Sequence, residues 1–196
     1  MIIMKFFNSE EGVTKYRGVL PHWQQPGVTY FVTFRQFDCL PVGKLEALQK
    51  ERRIWRKLNP EPLSDVQKRE YAARFSGKIH EWLDAGHGKC LLAKPEVREM
   101  MEITLKYFSG KRYELGEFVI MPNHVHVLVT PIDDWRLENI LRSWKSFSAK
   151  RINEIYGLAG QVWHRESFDH IVRSEEQLCR IEQYMRDNPK RAGLIK

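Results

Sequence analysis

Hydrophobic and polar positions along the chain follow two periods, and each period predicts its own elements. Val28-Thr29-Tyr30-Phe31-Val32-Thr33-Phe34-Arg35 is rich in aromatic and β-branched residues and follows the turn signal Pro26-Gly27, so it reads as a strand. Side chains alternate across a strand, which puts Tyr30, Val32 and Phe34 on one face and Phe31, Thr33 and Arg35 on the other. A second strand is predicted from Tyr113 to Met121. Pro122-Asn123 then turns the chain into a third, His124-Val125-His126-Val127-Leu128-Val129. The valines of this strand share one face and the two histidines share the opposite one. The stretch Trp163 to Arg173 reads as a loop running into a fourth strand.

Helical spacing fills the intervals. Leu45, Leu48, Ile54 and Trp55 predict a helix to about Leu58, ended by Asn59-Pro60-Glu61-Pro62. Ser64-Asp65-Val66-Gln67 resembles a capping box and opens a second helix to Leu83. After Pro95, the apolar positions Val97, Met100, Met101, Leu105 and Phe108 form a core stripe. Asp133 or Asp134 opens a long helix to Tyr156, with Leu137, Ile140, Leu141, Trp144, Phe147 and Ile152 inward. The capping box Ser174-Glu175-Glu176-Gln177 starts the last helix, which Asn188-Pro189 is expected to stop at about Asp187. Leu178, Ile181 and Met185 pack inward from it.

Residues 44–87 thus read as a mostly helical insertion after the first strand, within one domain spanning 1–196. Without it the order is βαββαβ with a C-terminal helix, an α+β, ferredoxin-like antiparallel sheet. Two helices cover one face of such a sheet. The other is expected to stay available, with both histidines on it.

Composition narrows the setting. In 196 residues, 42% hydrophobic, no apolar run approaches the ~20 residues of a membrane span. The apolar start, Met1 to Phe7, is too short for a signal peptide. Cys39, Cys90 and Cys179 lie far apart with no CxxC spacing, which argues against a disulfide framework and for reduced thiols in the cytoplasm. A net charge of +7 suggests a polyanionic partner, most often nucleic acid. The arm from Met1 to about Gln25 has little periodicity but carries Lys15, Tyr16, Arg17, His22 and Trp23, a mixture suited to phosphate contact and base stacking. A surface strap whose Trp23 plugs the core explains the arm equally well.

Two imidazoles on one strand face are candidate metal ligands, although ordinary strand histidines share that spacing. On the last helix Tyr184 and Asn188 are four apart and project together. A tyrosine is a weak nucleophile at its usual pKa of ~10, but it can attack a phosphodiester once a cation polarises the phosphoryl oxygens. Asn188 offers a carbonyl oxygen to complete the metal shell. The His-His-Asn set suits Mn²⁺ better than Mg²⁺ by ligand softness. The plainer alternative makes Tyr184 a boundary residue and Asn188 a helix cap.

Met121 to Val129 resembles the HUH motif of single-strand DNA nucleases, and Tyr184-Met185-Arg186-Asp187-Asn188-Pro189-Lys190-Arg191-Ala192-Gly193 resembles the Tyr-x-x-x-Asn-Pro-x-x-x-Gly signature of REP-associated tyrosine transposases, within the single-tyrosine transposase superfamily. The segments Pro26 to Arg35 and Trp163 to Arg173 are also similar to that family, whereas residues 44–87 have no place in its shorter members. The resemblance implies that Tyr184 attacks single-stranded hairpin DNA to give a 5′-phosphotyrosine and a free 3′-OH. It implies that His124, His126 and Asn188 hold Mg²⁺ or Mn²⁺. Candidates for DNA contact are Arg17, His22, Trp23, Arg35, Lys150, Arg151, Trp163 and Arg165. Competing readings are a domesticated protein that binds hairpins without cutting, a metal-dependent hydrolase that uses water, and a structural RNA-binding domain. The short capped connection Arg173-Ser174 offers no hinge for helix exchange, so a monomer acting in cis is expected, with a dimer as the alternative.

Overall fold

The structure, a computed structural model, describes residues 5–17 and 21–194. The arm is more ordered than its sequence suggested. Two short strands, β1 (Thr14–Arg17) and β2 (Pro21–Gln24), pair antiparallel, with Lys15 opposite Trp23. Backbone pairing, which leaves no trace in side-chain periodicity, holds this hairpin together.

Gly27, at φ +66°, turns the chain into β3 (Tyr30–Arg35). The insertion follows as α1 (Val42–Leu58), α2 (Asp65–Tyr71), a π-helical turn (Ala72–Ser76) and α3 (Gly77–Asp84). The Ser64 capping box forms as expected: Gln67 N–H donates to Ser64 Oγ at 3.3 Å, and Ser64 N–H donates to Gln67 Oε1 at 2.9 Å. Leu48, Trp55 and Phe75 make a small core inside the insertion, and Cys39, Leu40 and Leu83 make a second one where it joins the end of β3. Its return is tight. A Cβ on Gly88 would lie 2.8 Å from the Asp38 carbonyl oxygen, and the Lys89 N–H donates to Asp38 Oδ2 at 2.9 Å.

The remaining elements are α4 (Pro95–Lys106), β4 (Tyr113–Ile120), β5 (His124–Pro131), α5 (Leu137–Tyr156), β6 (Phe168–Ile171) and α6 (Glu175–Arg191). The four longer-range strands form one antiparallel sheet in the order β4-β5-β3-β6, with a register shift between Leu115 and Phe118. That order interleaves the two βαβ halves and matches the ferredoxin-like expectation. Tyr30, Val32, Phe34, Val125, Val127 and Val129 meet Met101 and Leu105 of α4 and Ile140 and Trp144 of α5 in the main core.

Four expectations are corrected. The second sheet face is not open: Phe31, Leu128 and Val172 pack against Ile181 and Met185 of α6. Proline does not end α6 at Asp187. The helix continues to Arg191 with Pro189 inside it, because a proline in the last turn removes only one hydrogen bond there. The helix α5 starts at Leu137, since Asp133 adopts φ +51° and Ile132 to Trp135 forms a turn. Phe147 is exposed, and Ser148 takes the inward position, its hydroxyl donating to the Trp144 carbonyl at 2.6 Å. Among the described residues no helix is long and apolar enough to cross a membrane.

Candidate active site

Strand alternation places His124 and His126 on the α6 side of β5, and both are 0% exposed. Across the β3–β5 ladder, Thr33 faces His126 and Arg35 faces His124. The Thr33 hydroxyl lies 2.7 Å from His126 Nδ1, and the Phe31 ring stacks on the His126 ring at 5.5 Å. Asn123 fixes the other imidazole. Its amide nitrogen donates to the His87 carbonyl at 3.0 Å, so its oxygen faces His124 Nδ1 at 2.8 Å. That nitrogen must therefore carry the proton, and His124 Nε2 presents a lone pair. It points at His126 Nε2, 3.0 Å away.

The tyrosine arrives on α6. Leu178, Ile181 and Met185 continue at helical spacing to Asn188, which explains why this amide is buried at 0% exposure. Arg186 ties the helix to β4 through Glu117 at 2.9 Å. One turn before Asn188, the Tyr184 hydroxyl lies 3.5 Å from His126 Nε2. Burial first, and then the negative charge of Asp84, push the phenol up to about 12 against the lowering pull of Arg191 and of the neighbouring Asn188 side chain. The insertion therefore reaches the site twice, with Asp84 at the end of α3 and with the His87 carbonyl.

The donor set fits a divalent cation. Two imidazole Nε2 atoms converge, and neither polar atom of the buried Asn188 side chain reaches a partner with hydrogen-bond geometry among the described residues. A buried amide left so is costly unless something else satisfies it. The described residues contain no group of three or more His, Cys, Asp or Glu, so the two imidazoles would need a third donor of another kind, such as an amide oxygen. Nitrogen and oxygen ligands of this kind suit Mn²⁺ and, less well, Mg²⁺.

The other candidate residues divide. Arg35 sits beside His124, and its charge, after desolvation, helps hold Lys145 down to about 8 and His164 below its usual value. Lys145 donates to the Arg165 carbonyl at 2.9 Å and to Ser167 Oγ at 3.1 Å. Two cations, Arg35 and Lys145, lie close here, with the Glu166 carboxylate partly offsetting them. Trp163 offers no stacking face: it is 4% exposed, packs on Phe34 and donates to Ser148 Oγ at 2.8 Å. Lys150 and Arg151 both pair with Glu154 on the solvent side of α5. Arg165 is exposed, and Trp23 is half-exposed near β6. The side chains of Arg17 and His22 lie outside the described residues. Sequence reading missed Thr33, Asn123 and Asp84, and placed Lys145 only among the basic residues off the apolar stripe of α5. Only Asn123 left a signal, as the residue between the turn proline and the first histidine.

An uncharacterized protein of Haemophilus influenzae is 27% identical over 118 residues, covering 47% of this chain, which spans 62% of that relative's length. A structure of a REP-associated tyrosine transposase bound to a REP hairpin is 16% identical, covers 93% of this chain and 76% of its own, and has a TM-score of 0.49. A candidate transposase from Deinococcus radiodurans is 15% identical, covers 89% of this chain and 97% of its own, and has a TM-score of 0.43. The model of the family described as "Transposase IS200 like" matches residues 87–188. That span runs from the return of the insertion through both histidines and Tyr184 to Asn188, over half of the 196-residue chain, and the protein belongs to this family of DNA-processing transposases.

Proposed function

We propose that the protein is a metal-dependent single-stranded DNA endonuclease and strand transferase acting on hairpin-forming repeat DNA. The observation that supports this best is the approach of the Tyr184 hydroxyl to His126 Nε2, with the buried Asn188 side chain beside Tyr184 on the same helix. His124, His126 and Asn188 would hold Mg²⁺ or Mn²⁺, which when bound polarises the phosphoryl oxygens and offsets the charge developing on them. Asn123 and Thr33 keep the imidazoles oriented. Tyr184 Oη attacks the phosphorus, the bond to the 3′ oxygen breaks, and the phenolic proton ends on that oxygen. The products are a 5′-phosphotyrosine and a free 3′-OH. Attack by a 3′-OH on the phosphotyrosine reverses the step and joins strands, with no separate energy source. Because α6 delivers Tyr184 to histidines of its own chain, a monomer acting in cis is the expected unit.

A non-cleaving hairpin-binding protein is the second reading, favoured by a phenol held near 12, which makes its deprotonation for attack harder than at the usual ~10. An adduct assay separates the two. End-labelled hairpin oligonucleotides built on repeats flanking the gene are incubated with Mn²⁺ or Mg²⁺ and run on denaturing gels. A protein–DNA band in wild type that is missing in Tyr184→Phe supports the transferase. Cleavage that persists in Tyr184→Phe means a water nucleophile, and binding without cleavage in any lane means the second reading.

A further inference from the structure

A cavity of about 440 Å³ opens beside β6, the edge strand of the sheet, and none of its lining residues is His124, His126, Tyr184 or Asn188. Trp23 of β2, Phe168, Asp169 and His170 of β6, Arg173 just before α6 and Gln177 in its first turn line it, so a carboxylate that can accept from a base amine stands beside the cationic and amide donors. Trp23 is 38% exposed and Phe168 39%, so large aromatic surfaces remain in contact with solvent. Arg173 is posted at the rim, its guanidinium 5.8 Å from the centre of the Phe7 ring. Gln177 uses its side-chain oxygen to accept from the Arg173 N–H at 2.8 Å, which leaves its NH₂ as a donor toward the cavity.

Its position ties the cavity to the site. The His170 ring lies 5.4 Å from Phe31, and Phe31 lies 6.3 Å from Tyr184 and stacks on His126. One aromatic ring therefore separates the cavity wall from the tyrosine. Aromatic walls beside cationic and amide donors are how proteins hold bases of an unpaired strand, since every base has a π-face and each is followed by a phosphate. The chain's net charge of +7 favours the same ligand. A fully apolar ligand would leave Arg173 and Gln177 unused.

We propose that this cavity holds one unpaired nucleobase of the DNA strand, from a nucleotide close to the scissile phosphate, stacked on Phe168 and Trp23 with Arg173 on its phosphate. The pocket rests on the DNA-processing reading for its class of ligand, and it adds a base subsite to that reading.

The test uses full-length Tyr184→Phe protein without divalent ion, so that binding is read without cleavage. Fluorescence anisotropy gives Kd for hairpin oligonucleotides in which each unpaired position beside the hairpin is made abasic in turn. One position is expected to weaken binding about ten-fold, the scale of one base–aromatic stack. In the Phe168→Ala background that penalty is expected to vanish. Trp23→Ala, on the flanking hairpin, repeats the measurement should Phe168→Ala lower the melting temperature. An abasic penalty that keeps its full size in both variants overturns the pocket, as does the absence of any sensitive position. Unchanged penalties together with normal adduct formation by the wild type overturn the pocket alone, whereas failure of the parent protein to bind any hairpin overturns the DNA reading with it.

Discussion

The two faces of β5 are equally buried and chemically opposite. All eight of its residues are inaccessible, yet Val125, Val127 and Val129 meet only apolar side chains, while His124 and His126 meet Asn123, Thr33, Tyr184 and one another. On the valine side the helices fill space, and the polar groups that intrude are satisfied, as when Trp144 donates to the Tyr113 hydroxyl at 2.9 Å. On the histidine side α6 covers the face but leaves a buried amide unsatisfied and a phenol shifted upward. Burial alone therefore does not distinguish packing from chemistry. The kind of polar group does: imidazoles, a phenol and an amide face one another on the α6 side, and such groups cost stability unless a ligand or chemistry uses them.

Substitutions sharpen this contrast. The largest effect is expected from His126→Ala, which should take adduct formation below detection while a cooperative melt persists. Asn123→Ala removes the partner of His124 Nδ1 and the donor to the His87 carbonyl, and loss of an outer partner of this kind lowers activity or metal affinity roughly 10–100-fold. Titration of Mn²⁺ against both variants would separate the two effects, and equal affinities would break the comparison. Val127→Ala on the opposite face should do the reverse. It should lose about 2 kcal/mol of stability, a melting shift of roughly 4–8 °C for a chain of this size, with adduct yield nearly unchanged below the melt.

The smallest expected effect concerns Lys145. Desolvation, with Arg35 adding to it and Glu166 opposing it, places its pKa near 8 rather than the ordinary 10.5. The free protein thus loses this charge as pH rises through 8. A bound phosphate favours the charged form, so hairpin affinity should fall several-fold between about pH 7 and 9, and Lys145→Met should flatten that dependence. By the same linkage the unfolded chain keeps its proton to higher pH, so stability rises between pH 8 and 10.5.

Much of the frame was legible in the sequence. Strict alternation marks β3 and β5, and the 3.6-residue stripe marks α4 and α6. The element order alone gives the sheet order, because a βαββαβ chain has few ways to close. The i, i+2 and i, i+4 spacings each fix a face, pairing the two histidines and pairing Tyr184 with Asn188, whereas bringing the two pairs together was an expectation of the family resemblance. What escaped depends on long-range packing. Whether α6 would cover the histidine face is decided by Phe31, Leu128 and Val172, residues scattered over three segments. The reach of Asp84 and His87 into the site depends on how the insertion returns past Asp38, which no local pattern encodes. Trp163 misled because an aromatic beside Arg165 looks like a stacking residue, whereas its indole N–H already had a partner on α5.

The central claim is that Tyr184 forms the covalent bond to DNA, and locating that bond tests it most directly. The adduct would be trimmed with nuclease, digested with trypsin and sequenced by tandem mass spectrometry. The account predicts a nucleotide on Tyr184 within the peptide Ile181–Arg186. A nucleotide on any other residue, or metal-dependent cleavage with that peptide unmodified throughout the reaction, would contradict it.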